Sequence, residues 1–169
     1  MLSAAAGCAG ESTGAGKMWW ITSDEATLTE QVPAAPSDVR DFYVDLENVK
    51  VVHPLVVSVR SLSCIETSDG YEQTYRVVDR IPLGMLNLRI RYRARLKVPV
   101  QGDVITEARQ FPRVRLDSTV TFEPIDSGTR VIERIRLAAP RPVAAMTKRQ
   151  AVSAHIAMLA GIRRHFQAR

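Results

Sequence analysis

From Leu55 to Ala138 apolar and polar residues alternate with a period of two, and the chain then runs from Val143 to its end without a proline. That pair of patterns restricts the fold more than any other feature. A period of two sends alternate side chains to opposite faces of a strand, so each segment has one apolar face to bury. Six segments qualify: "LVVSVRSLSCIE", "YEQTYRVVDRIP", "MLNLRIRYRARLKVPV", "VITEARQFPRV", "RLDSTVTFEPI" and "TRVIERIRLAA". Turns such as "TSDG", "QGD" and "DSG" join them, which predicts an antiparallel meander. The final run, rich in Ala, Met, Leu, Arg and Gln, predicts one helix of about 24 residues.

Upstream, "ATLTEQV" alternates and predicts a first strand over Ala26–Val32. Pro36, Ser37 and Asp38 suit a helix start, and Val39, Phe42, Tyr43 and Leu46 recur at helical spacing. A second short helix is expected over Glu47–Val52, ended by Pro54, because the residue before a proline is pushed out of the helical region. Seven strands cannot leave their apolar face in water, and the terminal helix is the only element long enough to cover it. The expected fold is α+β: a curved seven-stranded antiparallel sheet wrapped around a long C-terminal helix. Such a wrap encloses a space.

A chain of 169 residues reads as one domain, placed at residues 23–169 behind a flexible tail at 1–22. The tail carries two decoys. "GESTGAGK" resembles a phosphate-binding loop, but Glu11 stands where the first glycine belongs and Met18 where the magnesium-binding hydroxyl belongs. No strand-forming run feeds it. "AAGC" resembles a lipidation site, yet it lacks a basic flank and a long apolar core. With only Cys8 and Cys64, no disulfide framework is implied, and a reducing cytoplasm is the expected location.

The order strand, two short helices, six strands, long helix resembles the START-like, helix-grip (SRPBCC) superfamily. The likeness covers roughly Ala26 to Phe166 and rests on that order, on "AAPSDVRDFYVDLENVKVVHP" after the first strand and on the final helix. Relatives include birch pollen allergen relatives, lipid-transfer START domains, polyketide aromatase/cyclases and CoxG-like proteins. Many carry a Trp just ahead of the proline, where this chain has Val51, Val52 and His53. The resemblance implies a cavity between sheet and helix that binds, or carries, a small hydrophobic molecule such as a lipid or polyketide, without a cofactor. It also allows a cyclase- or dehydratase-type enzyme using the same cavity.

A net charge of +5 raises the question of an anionic partner. In "LRIRYRARLKV", Arg89, Arg91, Arg93, Arg95 and Lys97 share one face, opposite Leu88, Ile90, Tyr92, Ala94, Leu96 and Val98. Aromatics for base stacking are missing from the basic face, so nucleic acid is not expected. Cross-strand carboxylates such as Glu72 or Glu107 are expected to relieve the repulsion. A weak attraction to anionic membrane surfaces is the remaining expectation.

The opposite face must look inward. Val77, Tyr92, Val120, Phe122, Met158, Leu159 and Ile162 are the expected cavity wall, with Tyr75 and His155 as polar contacts. Asp79 and Glu133 are further inward candidates by alternation. His155 lies on the apolar arc of the terminal helix and needs a partner, from Tyr75, Tyr92 or Glu133, or from a ligand. His53 is expected in an exposed loop near the cavity mouth, and His165 in solvent. Three scattered histidines give no metal-ligand spacing, so no metal is expected. No nucleophile motif occurs.

Overall fold

A computed structural model describes residues 20–111 and 113–168. Strand β1 (Ile21–Val32) leads into helices α1 (Pro36–Val44) and α2 (Leu46–Val52). Strands β2 (Val56–Thr67), β3 (Gly70–Leu83), β4 (Leu86–Pro99), β5 (Val104–Gln110), β6 (Val114–Ile125) and β7 (Gly128–Pro140) follow, and α3 (Arg141–Gln167) closes the chain. The sheet runs β1-β7-β6-β5-β4-β3-β2, antiparallel throughout. Hairpins make every neighbour except one; β1 instead pairs with the last strand, Leu28 opposite Glu133. The seven-stranded curved sheet, the two short helices and the long terminal helix are those the sequence predicts.

Boundaries differ at several elements: β5, for one, ends at Gln110 rather than Val114. β1 begins at Ile21 rather than Ala26, so residues 21 and 22 of the expected tail are strand, and residues 1–19 lie outside the described residues. The added segment has few apolar residues, and ion pairs hold it in place: Glu25 meets Arg136 of β7 and Asp24 meets Lys148 of α3, both at 2.7 Å. α3 begins at Arg141, earlier than Val143, because Pro142 sits in the first turn, where a helix has no use for its missing N–H.

Turn chemistry sets the ends. Gly128 (φ 132°) opens β7 so close to the end of β1 that a Cβ would lie 2.3 Å from the Val32 carbonyl oxygen. Gly84 (φ 60°) takes the first central position of the two-residue β3–β4 turn, where a mirror-image hairpin turn requires it.

α3 does not lie across the middle of the sheet. It packs on β1, β7 and α2, where Ala154, Met158, Leu159 and Ile162 are buried. The first two helices cover other parts of the concave face: α1 on β6 and β7, α2 on β2. The concave side of β4 and β5 is left without a helix, and its small residues Ala94 and Ala108 fill none of the gap. On the convex side, Arg95 pairs with Glu72 at 2.7 Å and Lys97 with Glu107 at 3.6 Å, the carboxylates expected from sequence. Arg89, Arg91 and Arg93, nearer the β3–β4 turn, have no ion pair among the described residues.

Candidate ligand cavity and its polar end

The uncovered part of the concave face becomes a cavity of about 560 Å³, bounded by β3–β6, α2 and α3. Its walls are mostly apolar, with Leu88, Ile90, Leu96, Val114, Leu116 and Met158 among them. That size falls in the roughly 300–1,000 Å³ range of small-molecule sites. A cluster of polar groups gathers at one end, contributed by six elements.

Tyr92, from β4, donates its hydroxyl to Asp79 Oδ1 of β3 at 3.3 Å. The strand pairing places them: Val77 is opposite Tyr92, so Asp79 lies one diagonal step along the same face. Burial pushes the Asp79 carboxyl up to about 6, against the Tyr92 hydrogen bond and the charge of His155. On α3, His155 Nδ1 lies 2.9 Å from Glu133 Oε1 of β7, and the Tyr43 hydroxyl donates to that same oxygen at 3.1 Å. Glu133 has no exposed surface and sits behind the cavity wall.

Burial opposes charge on both partners of the His155–Glu133 pair, and their mutual attraction wins. The Glu133 carboxyl is held below its ordinary value and the His155 imidazole above its own. Together they form an imidazolium–carboxylate pair. His53 caps the C-terminus of α2, and its ring stands edge-on to His155 with centroids 5.7 Å apart. Burial, then the neighbouring His155 charge, pushes His53 down to about 3. It is therefore neutral, and because its Nδ1 accepts the Leu55 N–H at 3.3 Å, its proton is on Nε2.

Among the nine residues expected at the site, Tyr92, His155 and Met158 line the cavity. Tyr75, Val77, Val120, Phe122, Leu159 and Ile162 lie in the packed core, off the cavity. Alternation identifies which face they occupy; it does not say which half of that face α1, α2 and α3 cover. Tyr43, for example, packs edge-on against Phe122 at 5.7 Å. Two histidine expectations are corrected. His53 is not an exposed loop residue but part of the cavity, since α2 folds back over α3. His165 is not solvated: its ring packs on Phe42 at 4.4 Å and Phe166 at 5.2 Å. Tyr43 is the polar group that sequence reading missed, because its helical spacing marked it only as apolar face.

No family model matches the chain, and no curated protein matches it in sequence. Solved structures do match. The Zhui aromatase/cyclase from Streptomyces sp. R1128 is 14% identical with a TM-score of 0.67, over 87% of this chain and 94% of its own. A START superfamily protein from Mycobacterium smegmatis is 14% identical with a TM-score of 0.60, over 88% and 97%. The di-domain ARO/CYC StfQ from the steffimycin biosynthetic pathway is 11% identical with a TM-score of 0.68, over 88% of this chain and 51% of that one. At such identities the likeness speaks to architecture alone: this chain has the START-like, helix-grip fold.

Proposed function

We propose that the protein binds, and carries, a small hydrophobic molecule of the lipid or polyketide-like kind, held in the cavity by an uncharged oxygen at its polar end. The observation that carries this reading is the pairing of a large, mostly apolar cavity with a cluster of Asp79, Tyr92, His53 and His155 on its wall. Apolar walls supply most of the affinity at roughly 25 cal/mol per Å² buried, and the polar end sets orientation. Tyr92, His155 and Met158 are the ligand contacts, joined by His53 and Asp79.

The charges select the ligand's head group. His155 is already matched by Glu133, and Asp79 adds negative charge as pH rises, so a carboxylate is disfavoured there. A hydroxyl, phenol or ketone fits: His155 has Nε2–H left over and His53 offers Nε2–H, both donors. Native mass spectrometry with organic extraction of the same sample tests this. A reproducible mass released on denaturation supports the reading, and its head group must be neutral. Tyr92→Phe is expected to weaken a neutral ligand about three- to ten-fold, the worth of one hydrogen bond. Binding by a ketone should fall as pH rises through about 6, because Asp79 then loses the proton it can donate. Unchanged affinity in Tyr92→Phe and across that pH range would remove these two residues from the site.

A second reading has its own observation. An imidazolium, a neutral imidazole and a carboxyl near pKa 6 around one cavity end are what proton transfer in a cyclisation or dehydration requires. An enzyme of that type would lose turnover, with binding retained, in Asp79→Asn. The exposed thiol of Cys64 fits a reducing, cytoplasmic setting. Among the described residues no helix is long and apolar enough to cross a membrane.

A further inference from the structure

The two ends of the sheet differ in charge. At one end the turns carry Asp69, Asp103 and Asp126. The opposite end gathers the β3–β4 turn, the β5–β6 turn, the start of β1 and the start of α3. Strand pairing brings them together: Arg109 is opposite Arg93, Arg115 opposite Ala138, and Ile21 opposite Pro140. Of the segments that form this end, residues 80–93, 108–116 and 138–150 hold ten Arg and Lys residues and no Asp or Glu, and the start of β1 adds Asp24 and Glu25, which pair with Lys148 and Arg136.

This basic end is also where apolar side chains stand fully in water. Met85, at the tip of the β3–β4 hairpin, and Phe111, in the β5–β6 turn, are the two most exposed large apolar residues described, at 102% and 90%. Leu86 and Leu88 on the hairpin and Met146 on α3 are exposed beside them. Leu88, Phe111 and Met146 line the cavity as well, so the apolar rim is continuous with its interior. Leaving such groups in water is unfavourable, and cations flank them: among the described residues, Arg89, Arg91 and Arg141 make no ion pair.

We infer that this end is a membrane-docking surface, which seats the mouth of the cavity on an anionic bilayer. Met85, Leu86 and Phe111 enter the acyl boundary, and Arg89, Arg91 and Arg141 meet the lipid phosphates. The projecting side chains favour a bilayer over a folded partner. They project singly from separate turns beside the cavity mouth, and hydrocarbon accepts an apolar tip without a shaped pocket, whereas a protein surface must supply one. Cations behind apolar tips match the layered chemistry of a bilayer, head groups outside and tails within. Docking of this kind gives a hydrophobic ligand a route between cavity and membrane that avoids water. That purpose rests on the cavity binding such a ligand; the docking itself does not.

The test uses the full chain and sedimentation with vesicles of phosphatidylcholine, alone or mixed with phosphatidylserine, at low and high salt. Binding is expected only with phosphatidylserine, and weakened by salt. Met85→Glu/Phe111→Glu should lose binding at least ten-fold, and Arg89→Gln/Arg91→Gln roughly twenty-fold, from about five-fold per cation. Val100→Glu, at the opposite end and 73% exposed, should bind as the wild type does. Circular dichroism melts must match for all variants, as expected for exposed sites. Three results would overturn the inference: no binding to phosphatidylserine vesicles at low salt, equal losses in Val100→Glu, or retention on an acidic protein or RNA column with no vesicle binding. Because no ligand is needed, a protein that docks but carries nothing would sink the cavity reading alone.

Discussion

His155→Leu is expected to destabilise the protein by about 3–5 kcal/mol, more than Glu133→Leu, with the double variant recovering most of the loss. The magnitude is that of removing one partner from a buried ion pair. The inequality follows from what each partner can do when left alone. An imidazole sheds its proton, and the His155 side chain keeps 16% of its surface exposed. Glu133 keeps none, and its Oε2 already lacks a hydrogen-bond partner. Without His155 the neutral hydroxyls of Tyr43 and Ser118 remain beside it, and neither brings a positive charge. Removing both charged groups leaves an apolar pair, which buried sites tolerate well. Urea denaturation of the four proteins in this cycle reads the coupling directly. Equal losses in the two single variants would show that the pair is not the asymmetric one described.

The same variants should respond to pH in opposite directions. In the wild type, Glu133 has a lowered pKa, so its contribution is present above its ordinary value and is lost as pH falls through the lowered one. His155 has a raised pKa, so its contribution is present below its ordinary value and is lost as pH rises through the raised one. The pair thus contributes in full between the ordinary values of 4.5 and 6.5. His53, depressed to about 3, opposes folding as pH falls below 6.5. In His155→Leu the lone Glu133 must take up a proton to stay buried, and this variant gains stability on acidification where the wild type loses it. A variant whose pH profile merely parallels the wild type would refute the charge assignment.

The fold was legible because its cause is local. Alternation, turn glycines and an unbroken helical run each act within a dozen residues, and together they leave one way to bury seven apolar faces. β4 shows how far this reaches: its faces, its arginine stripe and two neutralising carboxylates all followed from spacing. The site depended on distances that spacing does not encode. Leu159 and Ile162 share the arc of Met158, yet they lie in the core off the cavity, because α3 sits towards the edge made by β1 and β7. His155 and Glu133 meet across 22 residues of sequence, and alternation placed both inward without choosing among three partners. His53 was read as a loop residue because nothing nearby in sequence announces that α2 rests on α3.

That contact is where one glycine governs the site. At Gly161 of α3, an added Cβ would lie 2.8 Å from Val52 Cβ and 3.1 Å from the Val52 carbonyl oxygen of α2. Neither atom is the end of a flexible chain, so α2 itself must move. Alanine at this position gains about 1 kcal/mol in helix propensity. Crowding of a packed interface costs about 1–3 kcal/mol, and a larger side chain costs most. Gly161→Leu is therefore expected to lose about 2–3 kcal/mol in urea denaturation. It should also act on the chemistry, since His53 caps α2 and moves with it. As α2 lifts, water reaches the ring and the His155 charge recedes, so the His53 pKa should climb from about 3 towards 6.5. Nuclear magnetic resonance titration of the imidazole resonances measures that shift. Ligand affinity should fall with it, because His53 no longer faces the polar end. Gly161→Ala paired with Val52→Gly restores the close approach with the small residue on the other helix, and should return His53 to its low value. If Gly161→Leu loses stability while His53 stays near 3, α2 has not moved, and the histidine is held by β2 and its loop rather than by the helix contact.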